Sequence, residues 1–184
     1  MAIIVDTNCF SRVFCRTNKE HANFKPVLDW IIYGNGFLVY GGSKYRGELL
    51  KAKSYIKFFR LLKGYKKAIS FPDDPIDEFQ TMFKEMIKDK DFDDPHLPAI
   101  VLVSKCRLIC TKDTRSQPFV TSPDLYPKRF HTPKYYTGLK DQDLLCDSNI
   151  DKRLLKHRLQ LNKKEKDALN LFFNKYSKVD AKTK

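Results

Sequence analysis

The chain opens with a short apolar run that ends in an acidic residue, a combination that few folds accommodate. Ala2, Ile3, Ile4 and Val5 are followed directly by Asp6. An unbroken apolar run of this length is typical of a strand buried on both faces, as in a parallel sheet. Asp6 would then lie at the carboxyl edge of the sheet, where open α/β folds bind ligands. Burying an ionised carboxylate beside an apolar core costs free energy unless a partner compensates its charge. We therefore expect a cation or hydrogen-bond donors near Asp6.

Apolar runs and helical patterns alternate along the first 140 or so residues. The patterns predict strands at 2–6, 37–40, 68–71 and 107–111, with a fifth around 135–137. They predict helices at 7–33, 44–62 and 75–88, and one more that is capped by Asp94 and has Pro95 at its first position. This alternation favours an α/β fold, a three-layer α/β/α arrangement around a parallel sheet of four to five strands joined by right-handed crossovers.

The composition indicates which class of partner the chain would bind. The chain has 184 residues and a formal net charge of +13, which favours polyanions and nucleic acid above all. The alternative is a protein that is basic without such a partner. No apolar stretch approaches the roughly 18 residues of a membrane span. Five cysteines without a CxxC pair favour buried thiols over zinc ligands, so we expect a cytoplasmic protein without membrane contact.

The charge is concentrated towards the C-terminus. Residues 151–184 contain 11 Lys or Arg against 4 Asp or Glu. We therefore predict one domain over 1–150 and a basic, helical extension over 151–184. Leu161, Leu169, Phe172 and Phe173 would form the apolar face by which that helix docks.

Four acidic residues stand where the predicted elements change: Asp6, Glu48, Asp94 and Asp113. Ends of parallel strands and starts of the following helices share one edge of a sheet, so these carboxylates would converge. Oxygen ligands suit Mg²⁺ or Mn²⁺ better than zinc. Each acid also has an ordinary interpretation: Asp94 as a helix cap, Asp113 as a turn former and Glu48 as a surface residue. Asp93 is an alternative to Asp94 as the ligand.

Other side chains near these acids have predicted supporting roles. Asn8 would hydrogen-bond a metal ligand or the phosphate of a bound nucleic acid, and Thr111 would orient a carboxylate. Tyr45 would stack on bases, and His96 would take a helix-surface or partly buried role. Five cations would form a rim that binds the RNA backbone: Arg12, Lys44, Arg46, Lys112 and Arg115.

Three segments together resemble the motifs of PIN-domain nucleases. The string Ile4-Val5-Asp6-Thr7-Asn8 resembles the opening of that family. The segment from Asp94 to Ala99 resembles its Asp at a helix start, and the segment from Leu108 to Asp113 resembles its strand ending in Thr-x-Asp. Glu48 falls where the family carries its helical acid. The resemblance spans roughly residues 2–120 and leaves 121–184 uncovered.

This resemblance implies a sheet in the order 3-2-1-4-5 and a Mg²⁺ or Mn²⁺ site built from Asp6, Glu48, Asp94 and Asp113. It further implies endoribonuclease activity on single-stranded or looped RNA, such as tRNA or mRNA. Many small prokaryotic members are VapC-like toxins of toxin–antitoxin systems, which implies an antitoxin or regulatory protein as a partner, and such toxins are often homodimers. The alternative is a non-catalytic RNA-binding module or scaffold on the same fold. Phosphotransfer through Asp6 is disfavoured because Asn8 stands where that chemistry commonly has a second acid.

Overall fold

The computed structural model describes residues 2–146 and 160–179. Its centre is a five-stranded sheet in which all strands run parallel, in the order β3-β2-β1-β4-β5. The strands are Ala2–Val5 (β1), Phe37–Gly41 (β2), Ala68–Phe71 (β3), Leu108–Cys110 (β4) and Lys134–Tyr136 (β5). The predicted α/β class, the five strands and the 3-2-1-4-5 order are confirmed.

Eight α-helices connect and cover these strands within the described residues. They are Phe10–Phe14 (α1), His21–Ile32 (α2), Ser43–Lys51 (α3), Lys53–Gly64 (α4), Asp73–Met86 (α5), His96–Ser104 (α6), Gln117–Val120 (α7) and Lys163–Val179 (α8). Short 3₁₀ turns lie at Thr7–Cys9, Pro123–Leu125 and Leu139–Leu144. None of the helices in residues 2–146 and 160–179 combines the length and apolar character that crossing a membrane requires.

Two predicted helices are each divided in the structure. The helix predicted over 7–33 is α1 and α2, separated by a turn in which Asn18 caps the backbone amide of Glu20. The helix predicted over 44–62 is α3 and α4, which meet at Ala52, where the backbone leaves the helical region with ψ near 58°. The prediction that 7–33 is largely helical is confirmed, whereas the prediction of one helix over 44–62 was wrong.

The strand order determines how the layers are arranged. The chain moves outward from β1 to β2 and β3, and then returns past β1 to β4 and β5. Because parallel crossovers are right-handed, this reversal places α1–α4 on one face of the sheet and α5–α6 on the other. β1 pairs with β4 through Ile4–Ile109 and Val5–Cys110. Ligands in open α/β sheets bind where the strand order reverses, beside the ends of β1 and β4.

The core on the α1–α4 face is rich in aromatic rings. Phe10 and Phe14 contact the Phe59 ring, and Phe14 packs against Phe58 with ring centroids 4.7 Å apart. α8 extends this cluster, because Phe173 is buried and its ring lies 5.0 Å from that of Phe58.

The predicted docking face of the C-terminal helix is present in the described residues. Leu161, Leu169 and Phe173 are buried, and Phe172 is partly buried against the core. Of the predicted basic extension, residues 151–159 and 180–184 lie outside the described residues.

Candidate metal centre at the carboxyl edge of the sheet

Asp6 follows β1 and is held by donors from two strand ends. Its carboxylate accepts hydrogen bonds from Thr111 Oγ1 at 2.7 Å and from Asn8 Nδ2 at 2.6 Å. Its backbone amide donates to the carbonyl of Cys110, which continues the β1–β4 pairing. Burial raises the pKa of Asp6, while the hydrogen bonds from Thr111 and Asn8 act in the opposite direction. The structure thus brings Asp6 together with both residues that we expected to support a metal ligand.

Glu48 reaches the same edge from α3. Its carboxylate accepts a hydrogen bond from Thr7 Oγ1 at 2.7 Å and forms an ion pair with Lys44 at 2.9 Å. Burial acts to raise the pKa of Glu48, but the bonds from Lys44 and Thr7 outweigh it and the pKa is lowered. Glu48 is therefore an ionised carboxylate with a fixed orientation. The contribution of Thr7 was not predicted from the sequence.

The start of α3 is fixed by a glycine and by acids from α5. Gly42 has a φ of 83°, and a Cβ there would lie 2.6 Å from Ile76 Cγ2. The amides of Gly42 and Ser43 donate to the carboxylates of Asp73 and Asp77 at 2.8 Å each. These contacts satisfy two amides that the first turn of a helix leaves without partners. They also set the direction in which α3 presents Glu48.

Asp94 lies immediately before α6 and belongs to two groups of possible ligands. One group is Glu48, Asp94 and His96, and the other is Asp93, Asp94 and Asp113; within each, the ligand atoms lie within 4.8 Å of one another. Two ligands of one Mg²⁺ ion, each about 2.1 Å from it, are at most about 4.2 Å apart. Both groups are therefore within small side-chain movements of holding an ion. Asp6 is not a member of either group.

The electrostatic environment of Asp94 sets it apart from the other acids. Burial raises the pKa of Asp94 to about 7, and the negative charges of Asp6, Asp93 and Glu48 add to that effect. Asp6 is thus close enough to influence Asp94. The side chain of Asp94 does not cap α6, which begins at His96, so the predicted capping role was wrong. Only its backbone carbonyl accepts a bond from Leu97.

His96 is buried between the acids. It is 1 % exposed, with Nδ1 3.7 Å from an Asp94 oxygen and Nε2 4.0 Å from a Glu48 oxygen. Within the described residues, neither ring nitrogen has a hydrogen-bond partner. Burial lowers the pKa of His96 to about 4, which leaves a neutral imidazole. The expected surface or partly buried role was wrong, although the position of His96 two residues after Asp94 was a signal that it belongs to this cluster.

Asp113 occupies the outer part of the edge and is bound by Arg115. The guanidinium of Arg115 contacts Asp113 at 2.5 Å, Asp93 at 3.0 Å and Asp91 at 3.8 Å. The hydrogen bond from Arg115 lowers the pKa of Asp113. Three acids at the rim of the site therefore share one cation, so an ion bound by Asp93, Asp94 and Asp113 would compete with Arg115 for their oxygens.

The five cations predicted to bind RNA are all engaged by carboxylates. The pairs are Arg12–Glu20 at 2.7 Å, Lys112–Glu20 at 3.2 Å, Lys44–Glu48 at 2.9 Å, Arg46–Asp73 at 2.6 Å and Arg115–Asp113 at 2.5 Å. A phosphate would have to displace these partners to gain the full charge of the cations.

Tyr45 is 0 % exposed, and its hydroxyl donates to the carbonyl of Val5 at 2.6 Å. The prediction that Tyr45 stacks on bases was therefore wrong.

The carboxylates at this edge form two overlapping groups that share Asp94 and could hold a divalent ion. The nitrogens of His96, which have no hydrogen-bond partner among the described residues, could be satisfied by such an ion or by a water bound to it. Comparison of the chain with protein-family models, with curated proteins and with solved structures finds no match.

Proposed function

We propose that this chain is a metal-dependent endoribonuclease of the PIN type, which hydrolyses phosphodiester bonds in single-stranded or looped RNA. The observation that carries the proposal is the position of Asp94, shared by two groups of ligands and holding a pKa of about 7. A carboxylate so placed resists ionisation unless a cation compensates it. The sheet order and the acidic edge at its reversal point support the same assignment.

In this proposal Asp6, Glu48, Asp94 and Asp113 hold Mg²⁺ or Mn²⁺. The bound ion supplies activation of water and stabilisation of the charge that develops on the phosphate. Thr111 and Asn8 keep the Asp6 carboxylate in one orientation, and Thr7 does the same for Glu48. The neutral imidazole of His96 completes the cluster without adding charge. No side chain acts as a nucleophile: water would attack the phosphorus, the P–O3′ bond would break and the 3′ oxygen would leave, so the products would carry a 5′-phosphate and a 3′-hydroxyl.

The net charge of +13 supports RNA as the substrate class, because a basic protein attracts polyanions. An RNA strand would also bring its phosphates to a metal at the acidic edge. We extend the proposal to tRNA or mRNA as targets. The resemblance noted above also supports action as the toxin of a toxin–antitoxin or defence system, with an antitoxin or regulatory protein as partner and a homodimer as assembly. The competing proposal is a non-catalytic RNA-binding module or scaffold. It is disfavoured because all four acids, Asp6, Glu48, Asp94 and Asp113, are present.

The decisive experiment compares wild-type protein with Asp6→Asn, purified in parallel, on a mixed RNA substrate with Mn²⁺. We expect wild type to cleave, and expect both EDTA and Asp6→Asn to abolish cleavage while circular dichroism shows an intact fold. Glu85→Gln, which removes an exposed acid of α5, is the control and should cleave normally. Sequencing of the RNA ends should find 5′-phosphates.

Two outcomes would decide against the proposal. Full cleavage by Asp6→Asn would mean that the acidic edge does not carry the reaction. Calorimetry that detects RNA binding but no tight uptake of Mn²⁺ would favour the binding module instead.

A further inference from the structure

A second charged site lies at the amino edge of the sheet, opposite the acidic edge. It is a pocket of about 390 Å³ formed by the segments that lead into β4 and β5. We call it the basic pocket, and its walls include Lys105, Arg107, Lys128, Arg129, Phe130 and His131. Arg107 and Thr111 stand at opposite ends of β4, four residues apart, so about 13 Å separates the basic pocket from the acidic edge.

The cations of the basic pocket differ from those around the acidic edge in their partners. Among residues 2–146 and 160–179, no carboxylate forms an ion pair with Arg107, Lys128 or Arg129. Lys128, Arg129 and His131 are exposed, and Arg107 is partly exposed. The charges of Arg107, Lys128 and Arg129 are therefore available to an external anion, whereas the rim cations of the acidic edge are already neutralised.

Two cations of the basic pocket occupy backbone conformations that favour glycine. Lys105 follows α6 with a φ of 62°, the left-handed position at which many helices end in glycine. Arg129 has a φ of 72° and is the third residue of a turn closed by the bond from the Phe130 amide to the Pro127 carbonyl. A turn with positive φ at that position prefers glycine. Glycine could therefore replace the cation at either position without straining the backbone.

The aromatic part of the basic pocket indicates which part of a nucleic acid it would contact. The Phe130 ring stacks on Tyr126, with centroids 5.0 Å apart and planes 9° apart. Lys105 Nζ lies 5.1 Å from the same ring. Because Phe130 already has these partners, Arg107, Lys128 and Arg129, and not the ring, are what the basic pocket offers to a ligand.

We propose that the basic pocket binds a backbone phosphate of the RNA strand, remote from the bond that is cleaved. The assignment to RNA rests on the proposed function, while the affinity for phosphate rests on the basic pocket alone. Binding there is independent of base sequence, because contacts with phosphate carry no sequence information. The basic pocket would hold the strand and leave the choice of cleavage site to the acidic edge.

The test measures binding of fluorescently labelled 12-nucleotide oligouridine in EDTA, where no cleavage occurs. Arg129→Gly removes a charge and supplies the residue that the backbone favours, and Lys128→Ala removes the neighbouring charge. We expect each to weaken binding about fivefold at 0.1 M salt and to reduce the salt slope by about 0.7, the value for one phosphate contact on a single strand. Oligoadenosine should show the same losses, and neither melting temperature should fall.

Lys66→Gly is the matched control. Like Arg129, Lys66 is an exposed cation with positive φ, 55°, but it lies between α4 and β3 outside the basic pocket. It should change RNA affinity by less than about twofold, since it forms no part of the proposed contact. If Arg129→Gly fails to fold, Lys128→Ala, which alters no positive-φ residue, should still give the fivefold loss.

Three results would overturn the proposal. The pocket variants could bind RNA as tightly as wild type, or Lys66→Gly could weaken binding as much as they do. Alternatively, the pocket variants could lose binding to phosphatidylserine vesicles or to an oligoglutamate peptide but not to RNA, which would assign the basic pocket to a membrane or a protein. Because binding is measured without divalent ions, a chain that binds through the basic pocket but never cleaves would contradict only the nuclease proposal.

Discussion

Replacing Asp94 by asparagine should stabilise the metal-free protein and abolish cleavage at the same time. Burial and the neighbouring acids raise the pKa of Asp94 from 3.8 to about 7. One pKa unit corresponds to about 1.4 kcal/mol, so keeping this side chain ionised in the folded state costs about 4 kcal/mol at most. Solvent screens the 20 % of the side chain that is exposed, and we therefore expect a cost of about 3 kcal/mol at pH 8.

The pH dependence has a definite sign. A carboxyl group whose pKa is higher in the folded than in the unfolded state stabilises the folded state when it is protonated. This stabilisation is complete below the unfolded pKa of 3.8, and it is lost as the pH rises through the folded pKa of about 7. Asparagine is neutral throughout, so the gain from Asp94→Asn should grow from about 1 kcal/mol at pH 5 to about 3 kcal/mol at pH 8. For a chain of this size, that growth corresponds to roughly 4–8 °C in melting temperature.

The assay is thermal or urea unfolding of both proteins in EDTA at pH 5 and pH 8, repeated with Mn²⁺. Manganese should stabilise wild type, by about 2.7 kcal/mol at a hundred times its Kd, and should stabilise Asp94→Asn much less. Asp93→Asn is the control, because it removes the same charge from a more exposed neighbour and should change stability by less than about 1 kcal/mol. A destabilised Asp94→Asn at pH 8, or an equal gain at both pH values, would refute the reasoning.

Three further substitutions test individual contacts by urea unfolding. Thr111→Val removes the hydroxyl that donates to Asp6 at 2.7 Å; it should cost about 1–3 kcal/mol and slow cleavage, whereas Thr111→Ser should retain both. Tyr45→Phe removes a hydroxyl bonded at 2.6 Å to the last carbonyl of β1; it should cost about 1–2 kcal/mol and leave RNA affinity unchanged because the ring is buried. Leu169→Ala empties a fully buried site in α8 and should cost about 2–4 kcal/mol. Leu171→Ala, in the same helix but 70 % exposed, should cost less than about 0.5 kcal/mol.

The sheet could be predicted from the sequence because its central strands are buried on both faces. All residues of β1, β2 and β4 are buried, so each strand appears as an unbroken apolar run between turn-forming residues. The break between α3 and α4 left no such signal. Ala52 is the residue type with the highest helix propensity, so its departure from helical geometry has no local cause in the sequence.

The candidate site was predictable in outline and not in its electrostatics. The positions of Asp6, Glu48, Asp94 and Asp113 follow from the edges of predicted elements. The partners of the nearby cations cannot be predicted in this way. Arg12 and Lys112, for example, both form ion pairs with Glu20. The burial of His96 is likewise a property of how α6 packs. Pairing and burial depend on contacts between distant segments, which neither local pattern nor charge count records.

The packing of α8 on α4 has a consequence for when the protein becomes fully folded. Phe58 is buried partly by Phe172 and Phe173, whose rings lie 5.5 Å and 5.0 Å from its own. During synthesis, at about 5–20 residues per second, the ribosome needs on the order of ten seconds to add these residues after Phe58. Over that interval the nascent sheet and its acidic edge would be assembled while an aromatic surface stays open.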